Sequence, residues 1–144
     1  MNTLKKLIVG MGLMLILGAI PSMAQIDNGV TFEARSAFYA GNAKMPAGSY
    51  KLTQPDVDAN LLLLESADRS HSVFVEYEIV PSDTPHAQSD VTFNKYGKVD
   101  FLNAIWIQGR NSEMQVVPSK FEQNTAKAAA AEKHTLSARN EGKQ

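Results

Sequence analysis

Val30-Thr31-Phe32-Glu33-Ala34 alternates apolar and polar residues with a period of two, the signature of a half-buried strand. Ala37-Phe38-Tyr39-Ala40 continues as an extended segment up to a turn at Gly41-Asn42. Pro46-Ala47-Gly48 marks a second turn, because proline presets φ and glycine supplies conformations closed to other residues. Ser49 to Gln54 then alternates, with Tyr50 and Leu52 on one face, and Pro55 to Asp58 reads as a loop. Leu61 to Leu64 is an unbroken apolar run, which predicts a strand covered on both faces.

His71 to Val80 is the clearest strand. Val73, Val75, Tyr77 and Ile79 share one face, and Phe74, Glu76, Glu78 and Val80 share the other. A polar loop with two prolines follows from Pro81 to Ser89, long enough to be mobile. Asp90 to Tyr96 alternates again, Lys95-Tyr96-Gly97-Lys98 is a hairpin corner, and Val99 to Gln108 is the bulkiest strand. Met114 to Val117 gives one short last strand.

At Ser119 the pattern changes. Ser119-Lys120-Phe121-Glu122 fits a capping box, in which serine caps the first turn and Glu122 bonds back. The alanine-rich stretch beyond favours helix, so a helix is expected over residues 120–133 within a C-terminal unit of 119–134, with 135–144 as a disordered tail. Strands of five to ten residues between regular turns, with no helix among them, predict an all-β domain over residues 25–118. The expected form is a small antiparallel β-barrel or β-sandwich with one C-terminal α-helix.

The segment before this domain is of another kind. Lys5 and Lys6 precede a 14-residue uncharged apolar run, Leu7 to Ile20; Pro21 breaks it, and Ser22-Met23-Ala24 places small residues at −3 and −1. This order predicts a signal peptide over residues 1–24, cut between Ala24 and Gln25, and a periplasmic or secreted product. The run is short for a hydrocarbon core of about 30 Å, so no stable membrane insertion is expected after cleavage.

Charge and composition narrow the chemistry. Gln25 to Gln144 carries 12 basic and 15 acidic residues, a net charge of −3, which argues against nucleic acid and anionic lipid as partners. The chain has no cysteine, which excludes disulfides, thiolate metal sites and thiol catalysis. His71, His86 and His134 share no metal-ligand spacing, so neither metal nor cofactor is expected.

No serine sits in a nucleophile elbow. Ser82-Asp83-Thr84-Pro85-His86 brings an acid and a histidine together on a loop. Glu76 and Glu78 stand roughly 6–7 Å apart on one strand face, the pattern of a solvated surface. No catalytic residue is assigned. The candidates for ligand contact are Trp106, Tyr50 and Phe101, since aromatics dominate small-molecule pockets.

Several motifs occur together in one order: Phe38-x-x-Gly41-x4-Pro46-Ala47-Gly48-x-Tyr50-x-Leu52, Phe93-x-x-Tyr96-Gly97, Leu102-x-x-Ile105-Trp106 and Pro118-Ser119-x-x-Glu122. In this the chain resembles a group of short exported bacterial proteins of unknown function. Met45 stands where that group usually has leucine, a swap of similar volume. The resemblance implies a shared domain layout over about residues 30–130 and brings no activity with it.

Three functions are therefore expected, in descending order. The first is a non-enzymatic binding or interaction module, with an apolar small molecule or an envelope protein as partner. The second is a self-assembling envelope component that associates through strand edges, with residues 61–64 as an interface. The third is a minor hydrolase using Glu76 or His86.

Overall fold

The computed structural model describes residues 29–56, 59–129 and 132–141. The expected signal segment and its cleavage point lie outside the described residues. Eleven strands and one helix are formed among those that are described. The strands are β1 (Val30–Ala34), β2 (Phe38–Ala40), β3 (Ala43–Met45), β4 (Gly48–Asp56), β5 (Leu61–Ser66) and β6 (Ser72–Pro81). They continue with β7 (Asp90–Tyr96), β8 (Val99–Trp106) and β9 (Ser112–Val116). Helix α1 (Lys120–Ala128) comes next, then β10 (Glu132–Ser137) and β11 (Arg139–Asn140).

The fold is all-β, as the alternation predicts. The strand order is β10-β7-β8-β9-β6-β5-β4-β1-β11, and every pairing along it is antiparallel. β2 forms a hairpin with β3 and meets β8 in parallel at Tyr39 and Phe101. Tight reversals join β2 to β3 and β7 to β8. In each, a glycine takes the left-handed conformation that a Cβ disfavours, Gly41 at φ 58° and Gly97 at φ 63°.

Strand β6 folds the sheet over. Its first half pairs with β5, and Tyr77–Pro81 pairs with β9. Two faces are thereby brought against each other around one core. The hydrogen-bonded path does not close into a ring, so barrel and sandwich are both loose descriptions of it. Its two ends nevertheless belong to one stretch of chain. β10 lies on β7, β11 lies on β1, and only Ala138 separates them.

The inward side chains alternate as the pleat requires. Phe32, Phe38, Tyr50 and Phe93 come from four strands and meet in one aromatic cluster. Ring centroids are 5.1 Å apart for Phe38–Tyr50, 5.3 Å for Phe38–Phe93 and 5.7 Å for Phe32–Tyr50. Leu52, Leu62, Leu64, Val91, Leu102, Ile105 and Met114 fill the space around it. The Tyr50 hydroxyl donates to the Pro46 carbonyl. The proline-alanine-glycine turn thus satisfies a buried phenol four residues on, a structural reason for that spacing.

The structure changes three expectations. The leucine run alternates: Leu62 and Leu64 are buried, whereas Leu61 and Leu63 are half-buried on the outer face. The pleat allows only every second residue into the core. The loop expected from Pro55 begins later, since β4 runs on to Asp56.

The largest change is at the C-terminus. The helix expected over 120–133, within a C-terminal unit of 119–134, ends at Ala128, with Ala129 already extended at φ −151°, ψ 146°. Residues 132–134, expected in the helical unit, and 135–140, expected in the disordered tail, form β10 and β11 instead. Alanine-rich sequence favours helix by tenths of a kcal/mol per residue, whereas six positions of β10 find partners along β7, so the tertiary pairing wins.

Candidate functional site

The three aromatic candidates do not converge. Tyr50 is 2% exposed within the core cluster. Phe101 is 1% exposed on the opposite face of β8, beneath α1. There Phe121 of the helix covers it at 5.4 Å between centroids, and Tyr39 stacks on it at the same 5.4 Å. Both rings pack against other aromatics, and Tyr50 also lines the shallow cavity beside the Pro46–Gly48 turn. Trp106 differs. Its neighbour Ile105 points inward, so Trp106 lies on the outer face, half-buried.

The ring packed against Trp106 belongs to His86, at 4.5 Å and 20°. His86 Nε2 is 2.7 Å from Asp90 Oδ2, and Gln88 Nε2 donates to Asp90 Oδ1 at 3.1 Å. The partner of His86 is thus Asp90, four residues on, and not Asp83. Asp90 is buried at the first position of β7, directly opposite Trp106.

The loop expected to be mobile is tied down by its backbone. Ser82 N–H donates to Asn111 O at 2.7 Å, His86 N–H to Arg110 O at 3.1 Å, and Gly109 N–H to His86 O at 2.9 Å. An imidazole oriented by a carboxylate is the base half of a hydrolytic device. Among the described residues no hydroxyl bonds its other ring nitrogen.

A second constellation closes the turn between β5 and β6. Ser70 Oγ donates to Asp68 Oδ1 at 2.7 Å and lies 2.9 Å from His71 Nδ1. Ser66 Oγ and Ser70 N–H donate to the same carboxylate oxygen, at 2.7 and 3.0 Å. These donors hold the Asp68 carboxyl far below the usual carboxylate range. Serine, histidine and aspartate meet here in the wrong order for catalysis. The serine proton goes to aspartate, so histidine takes no proton from it. The bonds instead fix the turn around Arg69, which sits in the left-handed region at φ 60°. A shallow cavity of 310 Å³ lies between this turn and Pro46–Tyr50.

The third site is a half-buried polar cluster under the helix, which the sequence pattern did not reveal. A bulge makes Thr92 and Phe93 of β7 face Ala104 and Leu102 of β8, leaving Asn103 as the extra residue. Asn103 Nδ2 donates to Thr92 Oγ1 at 3.2 Å. Asn94 Nδ2 donates to Asn103 Oδ1 and to Glu122 Oε1, both at 3.1 Å. Ser119 caps α1 by accepting from Glu122 N–H at 3.1 Å, the expected half of the capping box. The Glu122 carboxylate, expected to bond back, turns to Asn94 and is 5% exposed.

Burial raises the Glu122 carboxyl above its ordinary range, against the opposing pull of Asn94, the Lys133 charge and the Tyr96 hydroxyl. Burial, and secondarily the Glu122 charge, raises Tyr96 as well. The sign for stability follows. Between the unfolded value, near 4.3, and the raised folded value, the native state binds more protons than the unfolded chain. Stability therefore falls as pH rises through that interval, and the cost persists above it. Glu122→Gln, which keeps an oxygen for Asn94, is expected to flatten the urea midpoint between about pH 4 and 7 and to be no less stable at neutral pH. An unchanged slope in the variant would remove Glu122 as its source.

No known protein family, curated protein or solved structure matches the chain. The resemblance read from the ordered motifs accordingly assigns no role to any of these residues.

Proposed function

We propose that this chain is a non-enzymatic interaction module of the exported space, and that it meets an envelope protein on its outer surface. The observation that carries this is the filled interior. Tyr50, Leu52, Leu62, Leu64, Phe93 and Ile105 are each no more than 2% exposed, which leaves the core no room for an apolar guest.

The outer face of the central strands offers a contact surface. Phe74 stands in mid-strand on β6 and is 58% exposed. It lies opposite Leu63, and Leu61 lies opposite Glu76. Val117, 37% exposed, donates its N–H to Glu76 O from the other side. Glu65, Glu76 and Glu78 share this face. The ion pairs among the described residues are Lys51–Glu141 and His86–Asp90, so these three carboxylates take part in neither. Exposed apolar groups among unneutralised carboxylates suit a basic, amphipathic segment of a partner.

Photo-crosslinking in the host from position 74 tests this. A discrete adduct is expected from 74 and not from Lys98 at the far hairpin turn, and Glu76→Lys with Glu78→Lys should abolish it. The same adducts from both positions, insensitive to charge reversal, would refute the reading.

A further inference from the structure

We infer that the groove between β7 and β1 is a strand-accepting site, and that the C-terminal strand of a second copy of this chain enters it by exchange. Two observations converge on this. The first is how the resident strand is held. β10 matches six residues of β7 and β11 matches two of β1. Almost nothing of this stretch is buried. Of residues 132–140, only Leu136 and Ala138 are partly covered against the core, and the rest are exposed. The segment is held mainly by its backbone ladder, whose groups bond water once released. Removing it uncovers far less apolar surface than removing β7 or β8, which carry Val91, Phe93, Leu102 and Ile105.

The second observation is what its release leaves behind and how far the segment reaches. Both β7 and β1 then present unpaired edges in the same molecule, the first along six residues and the second along two, a template for an incoming strand. The body holds α1 at its first turn, through Phe121 against Tyr39 and Phe101 and through Glu122 against Asn94. From Gln123 to Ala129 the helix is exposed apart from Thr125. Gln123–Ala129 and the two strands that follow are therefore an arm, and residues 132–140 alone span about 30 Å at ~3.3 Å per residue. The same segment from a second copy carries the same residues in the same register. Exchange makes every bond that the monomer makes and requires no new surface.

The natural absence of cysteine gives a clean test on the full mature chain. Thr92 and Thr135 face each other across β7 and β10. One chain carries Thr92→Cys and a second carries Thr135→Cys; neither can form that cross-strand disulfide within itself. The two are mixed at near-millimolar concentration, equilibrated with mild warming, and oxidised. Heterodimer is expected several-fold above the collision background set by pairing Thr135→Cys with Lys98→Cys. The excess should vanish when mixing is done at low micromolar concentration. Heterodimer no higher than that background would overturn the inference. So would native mass spectrometry of the unsubstituted chain that finds only monomer under the same concentrated conditions, which covers the case of a variant that does not fold.

Discussion

Phe93→Ala is expected to destabilise the domain by about 3–5 kcal/mol, the cost of deleting a fully buried aromatic ring and leaving a cavity. Phe93 is 2% exposed and touches Phe38 from β2 and Phe32 from β1, so its ring joins both faces of the folded sheet. The matched control is Phe74→Ala. That side chain is 58% exposed on the outer face of β6, and its loss is expected to change stability by no more than about 0.5 kcal/mol. Urea unfolding of both variants measures the contrast directly, because midpoints report stability where the slopes agree. Comparable losses in the two would place the core on the wrong face of the strands. A domain of this size has about 5–15 kcal/mol in total, so the Phe93 variant is expected to sit close to unfolding.

Deleting residues 132–144 is the second large effect. The deletion removes eight paired positions, six with β7 and two with β1. At roughly 0.5–1 kcal/mol net for each backbone bond lost, with the partial burial of Leu136 and Ala138 a smaller addition, the cost is about 4–8 kcal/mol. The melting temperature should fall by more than about 10 °C. The truncated domain should also associate, since two bare strand edges now face solvent. A C-terminal tail without structure predicts the opposite: an unchanged melting curve and an unchanged elution volume. Calorimetry and size-exclusion chromatography on the truncated chain separate the two.

The β architecture is legible from the residues because alternation reports burial. Val73, Val75 and Tyr77 read as one face from their alternation alone, and the turns at Gly41 and Gly97 announce themselves through residues that tolerate left-handed backbone. The C-terminus is illegible for a physical reason. Ala126 to Ala131 favours helix locally, while Glu132-Lys133-His134-Thr135-Leu136-Ser137 is too polar to look like a strand. Only the waiting edge of β7 makes it one, and edge strands draw their preference from neighbours more than from composition.

The polar sites divide in the same way. His86 and Asp90 are four apart in sequence and could have been paired by inspection, although the nearer Asp83 is the misleading choice. The cluster of Asn94, Asn103 and Glu122 depends on a bulge at Asn103, which no spacing rule reveals. Among the aromatics, Tyr50 and Phe101 were candidates for ligand contact because large rings line pockets. They are buried here because large rings also build cores, and side-chain type alone does not separate the two uses.

Two-dimensional NMR of residues 25–144 at low micromolar concentration reads the C-terminal segment residue by residue. Extended-strand chemical shifts are expected for residues 132–137, with cross-strand proton contacts joining Thr135 to Thr92 and Asn140 to Val30. Coil-like shifts and rapidly exchanging amides throughout 132–141 would contradict a sheet whose two ends are held by the C-terminal strand.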